Sequence, residues 1–313
     1  MTQEQKALLQ KLGPFIALLV VCAGLSIASP DFLTMGNLLN VMRQVSINAL
    51  IAFGMTLVIL LGGIDLSVGS ILALSSVLTA KLISALGLDP ALATMIGILA
   101  GALMGAANGV VIAKGKVAPF IATLGTMTIL RGLSLVFSEG RPVTGLNSDF
   151  FSMLGGGYVA NLIPVPVIWM LLLFVVFWFV LKKTVFGRHV YAVGGNEEAS
   201  RLSGLSVDSV KIWVYTISGA MSAMAGIILT SRLNSAQPTA GTGYELDAIA
   251  AVVLGGTSLT GGRGWIFGTL VGALLIGVLN NGLNLLGVSS FYQQVIKGVV
   301  ILLAVLIDRG GKK

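Results

Sequence analysis

Few side chains in this sequence could do chemistry, and most of them stand in apolar surroundings. Asp65 lies between two apolar segments, two residues ahead of Ser67. A carboxylate in such a place needs a partner or water. Two compatible roles fit it: with Ser67 it satisfies free N–H groups where the next helix begins, or it belongs to a gate or substrate path. Asn108, Asn280, Asn281 and Asn284 put amides on apolar stretches, and Gln44, Asn48, Gln293 and Gln294 add more close to the outer surface. Such amides either bond across helices or line a passage for a polyol, whose hydroxyls pair with amides and carboxylates.

No catalytic constellation accompanies them. There is one histidine, His189, and one cysteine, Cys22, so neither a Cys/His metal cluster nor an intrachain disulfide is possible. No metal site and no cofactor are expected on this chain. A phosphate-binding loop needs G-x-x-x-x-G-K-[ST]. The nearest approach, Gly109 to Val117, has five residues between its glycines and Val117 where the hydroxyl should be. This chain is therefore not expected to hydrolyse ATP by itself.

The elements that must position these residues are membrane helices. Of 313 residues, 56% are hydrophobic and 10% charged, against about 25% charged in soluble domains. Apolar runs of spanning length predict an all-α, polytopic helix bundle of about ten segments. They are Phe15–Ser29, Val45–Leu61, Ser70–Leu86, Ala91–Ala113, Phe120–Phe137, Val165–Leu181, Ile212–Thr230, Leu246–Leu254, Trp265–Leu286 and Val295–Ile307. The eighth is short enough to be a half-membrane or re-entrant piece. Ser26 to Ser29 followed by Pro30 makes a poor cleavage site, so the first run is expected to stay as a helix.

Charge orients the bundle. With the N-terminus inside, Lys6, Lys11, Lys114, Lys116, Lys182, Lys183, Arg188, Arg201, Lys211, Arg263, Arg309, Lys312 and Lys313 are cytoplasmic, thirteen of nineteen Lys and Arg. Only Arg43, Arg141 and Arg232 fall outside; Lys81, Arg131 and Lys297 lie within apolar segments, where snorkelling accounts for some. This positive-inside split places both termini in the cytoplasm. It also accounts for a net charge of +7 without nucleic acid. One domain over residues 1–313 is expected, with a long outer connection at 138–164 and a polar inner one at 182–211.

Two patterns bear on packing. Gly97, Gly101, Gly105 and Gly109 share one helix face, as do Gly264, Gly268 and Gly272; such stripes serve helix packing within the subunit or a sliding or dimer surface. Leu61-Gly-Gly-Ile-Asp-Leu-Ser-Val-Gly69 resembles Leu254-Gly-Gly-Thr-Ser-Leu-Thr-Gly-Gly262. Transporters place binding sites at such paired, Gly-interrupted breaks. In the inner connection, Gly194 to Gly204 reads as a short capped helix: Asn196 as N-cap, Glu197 and Glu198 at the positive end, Gly204 past the C-terminus. A second helix should start near Ser206 or Asp208. The capped helix is either a docking element or a plain surface helix.

Three stretches then carry a family resemblance: Gly62 to Gly69, Gly194 to Gly204, and Ser235 to Tyr292 with Ser235-Ala-Gln-Pro-Thr-Ala-Gly241, Tyr244 to Gly256 and Asn280 to Val288. The chain resembles permease subunits of bacterial ATP-binding-cassette importers for monosaccharides, those for ribose above all. Branched-chain amino-acid permeases are similar in fragments such as Ala248–Ala251 and the glycines after it. The resemblance implies a homodimer in the inner membrane that moves ribose or a similar sugar by alternating access. It implies a cytoplasmic ATPase, with two fused nucleotide-binding halves holding ATP and magnesium, and an extracytoplasmic sugar-binding protein. Gly195, Asn196, Glu197, Glu198, Arg201 and Gly204 would then form the coupling helix that the ATPase grips. The binding protein would dock near Arg141, Arg232, Glu245 and Asp247. Asp65, Ser67, Asn48, Asn108, Asn281 and Asn284 remain candidates for a path or gate. An ion-coupled secondary transporter, with Asp65 as coupling carboxylate, and a non-transporting scaffold or receptor are the competing readings.

Overall fold

The computed structural model describes residues 3–160 and 162–310, with side chains at 12–160, 162–300 and 302. Lys312, Lys313 and the side chains of Lys6, Lys11 and Arg309 lie outside the described residues. The helices are α1 (Gln3–Ala28), α2 (Met35–Leu60), α3 (Val68–Ser84), α4 (Pro90–Ala113), α5 (Pro119–Ser138), α6 (Asp149–Gly156), α7 (Val165–Lys183), α8 (Val185–Gly195), α9 (Glu197–Leu202), α10 (Val207–Leu233), α11 (Tyr244–Leu254), α12 (Ile266–Leu285) and α13 (Ser290–Gly310). The only departure from all-α among the described residues is small. Strands β1 (Tyr158–Val159) and β2 (Ile163–Pro164) pair antiparallel in the connection between α6 and α7, and Val143 bridges Ala236.

Local chemistry explains many boundaries. Asp89 accepts hydrogen bonds from Ala91 and Leu92 N–H at 3.0 and 3.1 Å, with Pro90 at the first helical position of α4. Ser148 caps α6 and Thr184 caps α8, each by accepting a backbone N–H three residues on.

Among the described residues, six helices are long and apolar enough to cross a membrane: α2, α4, α5, α7, α10 and α12. About ten spans were expected; the expected Val295–Ile307 span lies partly outside the residues whose side chains are described, and α1, α3 and α11 give shorter apolar helices among the described residues. Helix stops at residues 61–67, and α3 has 17 residues, the same length as the segment expected there. After the turns at 237–243, α11 has 11 residues and rises about 16 Å, half the hydrocarbon thickness. In α1, Leu12–Ala28 is the stretch with described side chains, and it is apolar.

Helix α2 forms the centre, with Leu50, Phe53 and Leu57 fully buried. Outward-facing apolar side chains on α4, α5 and α7, such as Met95, Ile121 and Val175, are exposed on the isolated chain. The glycine stripe of α4 is filled from within. A Cβ at Gly101 or Gly105 would overlap Ala223 or the Tyr215 carbonyl of α10, and one at Gly109 would lie 2.7 Å from Ile212 Cα. Gly268 and Gly272 likewise admit the backbone of Gly255 and Ala251, at the end of α11. Both stripes are packing surfaces inside one chain.

Candidate functional site

The backbone break between α2 and α3 carries a buried polar knot. Asp65 and Ser67 are 0% exposed and Asn108 is 1% exposed. Asp65 Oδ1 accepts from Ser67 N at 3.0 Å and Ser67 Oγ at 2.6 Å, while Oδ2 accepts from Ser218 Oγ of α10 at 3.0 Å. Asn108 Nδ2 of α4 donates to Ser67 Oγ at 2.8 Å. Asp65 thus ties the loop to α10, and the Ser67 hydroxyl ties it to α4. The bond to Ser67 N is an Asx-type turn two residues on. It does not cap α3, whose N-cap Ser67 makes no side-chain cap bond. Beside the knot, Gly63 is required because a Cβ there would meet the Tyr215 hydroxyl at 2.6 Å.

The two Gly-Gly breaks meet in space, with Gly62 against Thr260 and Gly261. Each ends its helix in a Schellman motif. Gly62 N–H bonds Ile59 O and Gly63 N–H bonds Val58 O; Gly256 N–H bonds Val253 O and Thr257 N–H bonds Val252 O. Gly62 and Gly256 take positive φ, +76° and +87°. This pairing is shifted by one residue from the sequence match. Register returns further on, where Asp65–Ser67 corresponds to the 3.0 Å contact between the Ser258 and Thr260 hydroxyls.

The remaining amides gather elsewhere. Asn281 pairs reciprocally with Asn37 of α2 at 2.7 and 3.0 Å, and Asn284 Oδ1 accepts from Gln293 at 2.8 Å. Asn48 is half-buried on α2. Only Asn108 joins Asp65 and Ser67. Asn37 and Ser218 were missed in the sequence because single amides and hydroxyls on apolar helices are unremarkable until a partner faces them.

At the end opposite α9, Arg131 donates to the Pro238 and Ala240 carbonyls at 2.9 and 2.8 Å and fixes the turns before α11. Arg141 is exposed, and Arg232 is half-buried with a bond to Asn40 Oδ1 at 3.0 Å. Glu245 is half-buried and accepts from Gly243 N. Asp247 was expected near an outer docking surface, but it is buried and paired with Lys297 of α13 at 2.9 Å. It faces inward because its position on α11 points at α13.

The connection after α7 holds two helices where one was expected. Gly194 and Gly195 end α8, and Asn196 caps α9 by accepting from Ala199 N at 2.9 Å. Gly204 has φ +84° just beyond it, and α10 starts at Val207. Lys211 of α10 donates to Glu197 at 2.8 Å, and Arg201 bridges Asp208 of α10 at 2.9 Å and Glu197 at 3.4 Å. The hydrogen bond from Lys211 holds the Glu197 carboxyl below its ordinary range. Glu198 and Leu202 are exposed, Leu202 at 84%. Helix α8 reaches the breaks directly: Gly194 abuts the Leu60 carbonyl, which also accepts from Gly262 N at 2.9 Å, and Tyr191 Oη donates to Gly264 O at 2.9 Å.

Comparison with known proteins extends the geometry. The chain is 62% identical over 302 residues to the ribose import permease protein of Bacillus subtilis (strain 168), covering 96% of this chain and 93% of that one. It is 54% identical over 306 residues to the ribose import permease protein of Escherichia coli (strain K12), covering 97% and 95%. The D-allose transport system permease protein of the same strain is 44% identical over 301 residues, covering 96% and 91%. No solved structure matches. A family model described as branched-chain amino acid transport system / permease component matches residues 37–305. Likeness to that group therefore reaches far beyond the Ala248–Ala251 fragment. It takes in every helix from α2 to most of α13, and the chain belongs to this permease-component family.

Proposed function

We propose that this chain is the membrane-spanning permease of an ATP-driven importer that carries ribose, or a closely similar monosaccharide, into the cytoplasm. The observation that carries the reading is identity spread over nearly the whole chain: 62% and 54% to two ribose import permeases, against 44% to the D-allose permease. In this reading the protein sits in the bacterial inner membrane with both termini cytoplasmic, and two copies form the pathway by alternating access. A partner ATPase with two fused nucleotide-binding halves holds ATP and magnesium. It grips α9, whose exposed Glu198 and Leu202 suit a docking face. A sugar-binding protein docks at the opposite end, around Arg141 and the loop after Arg232.

The mechanism follows from how α9 is held. Its ion pairs to Asp208 and Lys211 make α9 and the start of α10 one lever. The same helix α10 carries Ser218 to Asp65. Movement of α9 therefore reaches both the α2–α3 break and, through α8, the 255–264 loop.

The test is labelled-ribose uptake by vesicles containing the full complex, with D-allose and L-arabinose as competitors. Uptake that needs ATP, the ATPase and the binding protein, and that unlabelled ribose suppresses best, is the expected result. Uptake driven by an ion gradient without the ATPase would make Asp65 a coupling carboxylate and overturn the reading.

A further inference from the structure

We propose that a groove beside α8 binds an anionic phospholipid, its acyl chain lying on aromatic rings and its phosphate held by Lys182. The groove, of about 800 Å³, runs between the last turns of α7, α8 and the start of α12. Phe174, Trp178, Tyr191, Trp265 and Phe267 form its walls. The rings brace one another, Phe174 edge-on to Phe267 with centroids 5.9 Å apart and Trp265 against Phe267 at 5.5 Å.

The O–H and N–H donors of Tyr191 and Trp265 are already committed. Tyr191 Oη donates to Gly264 O, and Trp265 Nε1 donates to Gly255 O at 3.1 Å. What remains for a ligand is hydrocarbon, one charge and the acceptor side of the Tyr191 hydroxyl. Lys182 Nζ stands 5.5 Å from the Trp178 ring centroid. Among the described residues no carboxylate pairs with it. Lys183 and Arg188 are exposed beside it.

That chemistry selects among occupants. A sugar or a peptide would find only the Lys182 ammonium and the Tyr191 hydroxyl oxygen for its many polar groups, against walls of hydrocarbon. A neutral apolar molecule would leave the ammonium without an anion. Phe174 and Lys182 are eight residues apart on one helix, about 12 Å, the offset between upper acyl chain and headgroup. Aromatic rings with a basic residue at the boundary are how membrane proteins meet that zone. A basic cluster on this side of the bilayer favours an anionic headgroup.

The experiment places the full chain in nanodiscs of equal parts phosphatidylglycerol and phosphatidylcholine, releases it, and counts retained lipids by native mass spectrometry. Wild type is expected to retain phosphatidylglycerol preferentially. Lys182→Gln should lower that retention about five-fold, and Lys182→Arg should keep it. Val175→Trp, at a wall position 58% exposed, should exclude both lipids by filling the groove. Equal retention of the two lipids by wild type, or retention unchanged by both Lys182→Gln and Val175→Trp, would overturn the assignment. So would lipid retention that appears only once residues 1–11 are removed, because the groove would then belong to the chain's own N-terminal segment.

Discussion

Asp65 and Glu197 are held in opposite ways. Asp65 is fully buried and its partners are neutral: one backbone N–H and two hydroxyls. The Glu197 side chain is 46% exposed and its partners are the cations Lys211 and Arg201. Burial decides what each arrangement is worth. Removing the acceptor at Asp65 strands donors that water cannot reach, at about 1–3 kcal/mol for each group. Exposed ion pairs contribute about 0–1 kcal/mol. The first arrangement holds the fold together, while the second sets the position of α9 at almost no gain in stability.

The largest expected effect breaks the buried side of this contrast. Asp65→Ala should lower stability by about 2–4 kcal/mol, because Ser67 and Ser218 lose their acceptor together. Asp65→Asn, which keeps an acceptor oxygen, should cost less than half of that. Thermal unfolding of the two variants in detergent checks the order, and an equal loss would mean that the negative charge matters more than the hydrogen bonds.

Next comes the glycine beside the knot. Gly63→Ala should destabilise by about 1–3 kcal/mol through overpacking against the Tyr215 hydroxyl. Tyr215→Phe in the same chain should recover most of the loss, since it removes the atom in the way. A double-mutant cycle reads this coupling directly.

The smallest stability effect belongs to the exposed side. Glu197→Ala with Arg201→Ala should barely shift unfolding, because solvent screens exposed pairs, yet weaken ATPase association or uncouple ATP hydrolysis from uptake. Normal association and coupling would sink the docking role of α9. The pH response has a definite sign. The folded-state Glu197 carboxyl titrates below its unfolded value of about 4.3. Its contribution is therefore complete above that value and is lost as pH falls through the lower folded one. Raising salt should weaken the same pairs while leaving the Asp65 knot unchanged.

Legibility from the sequence followed the range of the forces involved. Composition, apolar run length, the Asn196 cap and the Gly204 stop act within a few residues, so the helical membrane character and α9 could be read directly. The intrahelical spacing of Gly97 to Gly109 marked a packing face, although which helix filled it could not be read. Asp247 illustrates the limit. A carboxylate in the first turn of a short helix looks the same whether it faces an outer surface or a lysine fifty residues on.

By itself the sequence determined that this is an apolar helical chain without a nucleotide-hydrolysing or metal-binding motif, and it marked two paired Gly-Gly breaks. Only the tertiary structure decided that the breaks touch, that their helix ends correspond with a one-residue shift, and that Asp65 bonds Ser218 across 153 positions. The physical reason is that backbone conformation and solvation preference are local properties of residues. A hydrogen bond between two helices depends on rotation and depth, which are set by all the packing contacts together.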